Sequence, residues 1–130
     1  MNKLYEEAKK VLNNSYSQYS NFKVAAAIRL KNGKIITGVN VENASYGLSN
    51  CAERTALFTA YSQGVRKADI AELLITTEQE DFVSPCGACR QVINELMEKD
   101  ALVHMTNKHG EIKTVNVHDL LPFAFSEDDL

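Results

Sequence analysis

Apolar residues near the start of the chain recur at Leu4, Ala8, Val11 and Leu12, the spacing that lines one face of an α-helix. Residues 2–13 are therefore predicted to form a helix packed on a sheet, and Asn13-Asn14-Ser15 ends it before a polar loop at 16–20. The pattern then turns β-type in two runs, 22–30 and 34–42, separated by Asn32-Gly33, a strong hairpin signal. A two-residue turn there sets Lys31 opposite Lys34, Ala25 opposite Asn40 and Lys23 opposite Glu42. In that register Asn40 and Glu42 share a face and Phe22 points to the other. Small and polar residues at 43–50 lead to a helix over 51–63, with Ala52, Ala56, Leu57 and Ala60 for close packing. Asn50 is a candidate cap for its start and Gly64 a stop. A strand over 70–77, a loop over 78–84 and a helix over 86–99 follow, the helix turning Val92, Ile93, Leu96 and Met97 inward. Strands at 101–106 and 111–117 are joined too tightly for a parallel crossover and are predicted antiparallel. Residues 118–122 read as a helical turn, and 123–130 as a tail carrying an aromatic pair and acids.

A chain of 130 residues has the length of one domain that closes its own core. Its net charge of −3, with no Lys/Arg cluster interleaved with aromatics, argues against a polynucleotide partner, which needs many basic side chains to neutralise phosphates. Three cysteines, two of them at CxxC spacing, give no even disulfide framework and suggest a reducing compartment. No signal-peptide pattern opens the sequence and its apolar runs are too short to cross a bilayer, so the expectation is a cytoplasmic protein.

The chemistry gathers in two segments, Cys51-Ala52-Glu53-Arg54 and Pro85-Cys86-Gly87-Ala88-Cys89-Arg90. Catalytic zinc takes three protein ligands and keeps one position open, and Cys51, Cys86 and Cys89 supply that number. Glu53 adds the carboxylate that activated water needs as a proton partner. Both segments open predicted helices, whose free N–H groups and partial positive charge favour thiolates. Arg54 and Arg90 are candidates to offset the remaining negative charge, though Arg90 also reads as an exposed helix residue. A closed structural site would normally carry four ligands, and a thioredoxin-like dithiol would leave Cys51 and Glu53 without a purpose. His104, His109 and His118 are scattered and none is assigned to metal.

A ligand-x-Glu element followed by Pro-Cys-x-x-Cys is the zinc deaminase signature. Together with Phe22 to Ala27, Asn40 to Gly47, Cys51 to Ala56, Ser84 to Val92, and Leu120-Leu121-Pro122 with Phe125, it resembles the cytidine deaminases of the small, free-nucleoside form. The resemblance implies a single catalytic domain over 1–130 with a three-layer α/β/α fold, a mixed five-stranded sheet and strands 4 and 5 antiparallel. It implies one Zn²⁺ per subunit and hydrolytic deamination of cytidine and 2′-deoxycytidine in pyrimidine salvage, with Glu53 moving protons to ring N3 and to the departing amine. By the same resemblance Asn40 and Glu42 bind the ribose, Phe22 packs on the base, and the Ala52 amide reads the pyrimidine oxygen. Arg54 and Gln91 lie around the thiolates, and Phe125 closes a neighbour's pocket in a homotetramer. The chain carries Lys23 and Ala25 where the family commonly has Pro and Gly, and the register above lets Lys23 pair with Glu42. A deaminase of another cytosine-bearing compound, or a zinc-binding interaction module without activity, are the rival readings.

Overall fold

The structure, a computed structural model, describes residues 2–130. Helix α1 (Asn2–Val11) runs into a 3-10 turn (Leu12–Asn14) and buries Leu4, Ala8 and Leu12 against Ala25, Ala27 and Leu74 on one face of a five-stranded sheet. The strands are β1 (Val24–Leu30), β2 (Ile35–Val39), β3 (Ile70–Thr77), β4 (Leu102–Thr106) and β5 (Ile112–Asn116), in the order β2-β1-β3-β4-β5. β3 and β4 pair in parallel, with α3 (Gly87–Leu96) between them in the chain, and the other pairs, β4 with β5 included, are antiparallel. Helices α2 (Ala52–Ser62) and α3 cover the second face, where Ala52, Ala56, Leu57, Ala60, Ile93 and Met97 meet Val24, Ala26, Ile28, Leu73, Ile75 and Val103. The result is the expected α/β/α layering. Because helices lie on both faces, β1 and β3 are buried almost without alternation. Among the described residues no helix is long and apolar enough to cross a membrane.

The hairpin departs from the two-residue turn. Leu30 N–H donates to Lys34 O at 2.8 Å and Gly33 N–H to Leu30 O at 2.9 Å, so Lys31-Asn32-Gly33 forms a three-residue loop. Gly33 takes φ +93°, the left-handed conformation that closes such loops. The register therefore shifts by one: Ala25 faces Val39, and Asn40 N–H bonds to Val24 O at 3.2 Å. Asn40 thereby joins Val24 on the face covered by α2. Lys23 reaches Glu78 at 3.6 Å, so the expected pairing with Glu42 does not form.

Gly38 lies opposite Ala26 on that same face, beneath α2. A Cβ there would sit 2.4 Å from Ala56 N and 2.9 Å from Ala52 O, both backbone atoms. Strand and helix approach so closely only because glycine and alanines line the contact, and this approach sets the height of the α2 N-terminus over the sheet. Gly64, at φ +92°, ends α2 as expected.

Candidate active site

Two helix starts meet above the sheet. Cys51 is the residue preceding α2 and Cys86 the one preceding α3, both with extended backbone. Asn50, the expected cap, instead donates its amide to Thr55 Oγ1 at 3.2 Å, and Cys51 at the helix start makes no side-chain cap bond. Cys86 Sγ accepts from Cys89 N–H at 3.4 Å and lies 3.8 Å from Cys51 Sγ. The three sulfurs lie within 4.8 Å of one another, and they form the sole cluster of candidate metal ligands among the described residues.

The electrostatics of the trio fit a divalent cation. Hydrogen bonding with Cys89 draws the Cys51 thiol down to about 5 against the cost of burial, with Arg54 and Cys86 assisting. Cys89 is driven far upward by sharing that hydrogen bond with Cys51, by burial, and by the nearby Glu53 and Cys51 charges. One thiolate thus opposes the next, and a soft divalent ion such as zinc at the centre removes the conflict. Arg54 Nη2 donates to Cys51 Sγ at 3.3 Å and its pKa is raised, first by that bond. Glu53, in the first turn of α2, is only 4% exposed, and burial pushes its carboxyl up to about 7.

Beside the sulfurs opens a cavity of about 210 Å³, lined by Phe22, Asn40, Glu42, Ala52 and Glu53 with Cys51 and Cys86. The observed register is what brings Phe22 to the same side as Asn40 and Glu42. At this size the cavity sits below the usual ~300–1,000 Å³ of ligand pockets, fitting a small ligand or a site completed by another chain. Larger grooves at the hairpin turn and beside the C-terminal tail contain neither the cysteines nor Glu53.

Asn40 and Glu42 are firmly held. Asn40 Oδ1 accepts from Val24 N–H at 3.0 Å and from Ser15 Oγ, while its Nδ2 donates to Phe22 O at 2.8 Å. Glu42 accepts backbone N–H from Tyr19 and Ser20 at 3.1 and 3.0 Å on one oxygen and the Ser20 hydroxyl on the other. The hydrogen bond from that hydroxyl, more than those from the two backbone amides, keeps the carboxyl below its ordinary pKa.

Gln91 and Phe125 lie outside this cavity. Gln91 donates to Phe125 O at 3.0 Å, so its amide anchors the tail and makes no bond to a sulfur. Phe125 is 57% exposed and does not line this chain's own cavity. Arg90 proves more constrained than its sequence position suggests: it donates to Ser84 Oγ, Pro85 O and Leu120 O at 2.6, 2.8 and 2.9 Å. It thereby ties the segment before Cys86 to the turn after β5. Val83 and Ser84 also line the cavity, and nothing in the polar 78–84 stretch marked them. His104 bonds Glu72 and Thr114 within the sheet, at 2.7 and 2.8 Å.

Comparison with known proteins follows the same line. The family model described as the cytidine and deoxycytidylate deaminase zinc-binding region matches residues 1–105. A cytidine deaminase of Halalkalibacterium halodurans is 47% identical over 127 residues, spanning 98% of this chain and 95% of its own. One from Sporosarcina psychrophila is 47% identical over 128 residues, spanning 98% and 93%. The crystal structure of cytidine deaminase from Burkholderia pseudomallei superposes with a TM-score of 0.92 at 48% identity, over 95% of this chain and 98% of that one. The Mycobacterium tuberculosis structure gives 0.80 at 34% identity, over 95% of each chain.

Proposed function

Because the chain belongs to the zinc-binding cytidine and deoxycytidylate deaminase family, we propose that it converts cytidine and 2′-deoxycytidine, with water, to uridine and 2′-deoxyuridine and ammonia. The observation that carries this is the buried Glu53 lining one cavity with Cys51 and Cys86, two of the three clustered sulfurs. Cys51, Cys86 and Cys89 would hold one Zn²⁺, which would supply a Lewis acid that makes water acidic near neutral pH. Glu53 accepts a proton from the attacking water and passes it to ring N3 as oxygen adds at C4. Glu53 then takes the proton of the new C4 hydroxyl and delivers it to the amino nitrogen, so that the C4–N bond breaks, the C4=O bond forms and ammonia leaves. Its raised pKa suits a group that must take and return protons near neutrality. Arg54 stabilises the Cys51 thiolate through their hydrogen bond. Phe22 packs on the base, the backbone amide of Ala52 meets the pyrimidine oxygen, and Asn40 and Glu42 receive the sugar.

The reading extends to a single catalytic domain over 1–130, cytoplasmic, acting on free nucleosides rather than on a polynucleotide. It includes a homotetramer in which Phe125 closes a neighbour's cavity. Exposed Tyr46, Leu48, Phe58 and Phe125 support that assembly, since a neighbour would cover them, as does the small cavity of the isolated chain. The test is to add purified protein to cytidine and follow the near-ultraviolet change together with ammonia release, with and without a zinc chelator. Turnover that the chelator abolishes is expected; no ammonia from either nucleoside would overturn the proposal.

A further inference from the structure

The segment between α1 and β1 is laced to the chain beyond β2. Tyr16 N–H donates to Asn40 O at 3.0 Å and Glu42 N–H to Tyr16 O at 2.8 Å, so the two stretches run side by side. At each end of this lacing stands a serine whose hydroxyl points at a cavity residue. Ser15 Oγ donates to Asn40 Oδ1 and Ser20 Oγ to Glu42 Oε2. A serine hydroxyl has one proton, and a carboxylate can only accept. Phe22 N–H donates to Ser20 Oγ at 3.1 Å, which occupies that oxygen's acceptor side and leaves its proton for Glu42. Asn21, in the left-handed conformation at φ +56°, makes the turn that brings Phe22 back to the cavity.

These bonds decide what Asn40 and Glu42 have left to offer. Val24 N–H, which can only donate, and Phe22 O, which can only accept, fix which end of the Asn40 amide is oxygen; the Ser15 hydroxyl donates to that oxygen as well, and Phe22 O takes one of the two N–H groups. One N–H remains. On Glu42, Oε1 already serves two backbone amides, while Oε2 serves only the Ser20 hydroxyl and keeps a lone pair. A donor and a charged acceptor thus stand in one cavity wall, a combination suited to hydroxyl groups, which both accept and donate.

We infer that Ser15 and Ser20 are positioning residues that set the affinity for the sugar, by holding the Asn40 amide and the Glu42 carboxylate in the orientation that leaves this N–H and this lone pair for sugar hydroxyls. The inference rests on the nucleoside reading of the cavity. Both serines act through their neighbours, and neither is required for proton transfer.

The experiment measures kcat and KM for cytidine and for its 2′-, 3′- and 5′-deoxy analogues with the wild type, Ser15→Ala, Ser20→Ala and Ser20→Thr. Ser20→Ala is expected to raise KM for cytidine about tenfold, the scale of a hydrogen bond to a charged group, with kcat within about twofold. The penalty should vanish on the one analogue lacking the hydroxyl that Glu42 receives, and Ser20→Thr, which keeps a hydroxyl, should restore KM. Ser15→Ala should show the same selectivity toward a single hydroxyl. An equal loss on all four substrates, a fall in kcat alone, or no change would overturn the inference. If Ser20→Ala weakens the fold, Ser15→Ala and Ser20→Thr decide by the same criteria. Wild-type protein inactive on cytidine would overturn the deaminase reading and this inference with it; active wild type with indifferent variants overturns the serine roles alone.

Discussion

Gly38→Ala perturbs the site from beneath. The added Cβ would meet Ala56 N at 2.4 Å, Ala52 O at 2.9 Å and Ala56 Cα at 2.9 Å, all of them α2 backbone that no rotamer change can move. Relief requires α2 to lift from β2 by roughly 1 Å, an overpacking that costs about 1–3 kcal/mol. For a chain of this size that lowers Tm by roughly 3–12 °C. The displaced turn is the one that carries Cys51 and Glu53, so the separation of Cys51 from Cys86, now 3.8 Å between sulfurs, changes with it. A misplacement of about 1 Å at a reacting group costs on the order of 10²-fold in rate. The assays are thermal unfolding, zinc affinity by chelator competition, and kcat on cytidine. Gly47→Ala is the control, since its Cβ would meet nothing within 4 Å. A Gly38→Ala protein with native Tm, zinc affinity and kcat would refute the claim that this contact sets the site.

Glu53→Gln should keep its zinc, measured by metal analysis, yet lose about 10²-fold or more in kcat, the scale of a general acid/base. Arg90→Lys keeps a charge but cannot reach Ser84, Pro85 and Leu120 together, so it should destabilise the fold by about 1–3 kcal/mol in urea unfolding. Burial alone would raise the Glu72 pKa, but the Arg29 and His104 hydrogen bonds outweigh it and hold the carboxyl below its ordinary 4.5. Ionised Glu72 therefore contributes stability above that value and loses it as pH falls through the lower folded-state pKa. The urea midpoint of Glu72→Gln should accordingly lie below wild type at pH 7 and approach it in acid; a gap that widens in acid would be contrary.

Local pattern carried most of the fold. The β3 strand runs over the predicted residues, Ile70–Thr77, because an apolar run bounded by loop residues leaves little choice of ends. The β4–β5 pairing followed from chain length alone, since a short connection cannot make a parallel crossover. The three sulfurs and Glu53 were legible because the chemistry demands those residue types at that spacing. The hairpin register was not: Asn32-Gly33 suits loops of two or three residues, and a single step moved Asn40 to the α2 face. The tethering role of Arg90 was hidden for another reason, because one of its partners, Leu120, lies thirty residues away in sequence. Gln91 was drawn to the tail by a carbonyl 34 residues away, that of Phe125. Ser15 and Ser20 sat in a stretch that composition marks only as a polar loop.

On the proposed reading, Cys51, Cys86 and Cys89 together hold the single zinc on which deamination depends. Its most direct test strips the protein with a chelator, then titrates zinc back while ammonia release from cytidine is followed, beside the same titration of Cys51→Ser. Activity should rise in proportion to bound zinc and level off at one ion per chain, with the variant binding zinc far more weakly. Full activity in the stripped protein, or wild-type zinc affinity in Cys51→Ser, would contradict it.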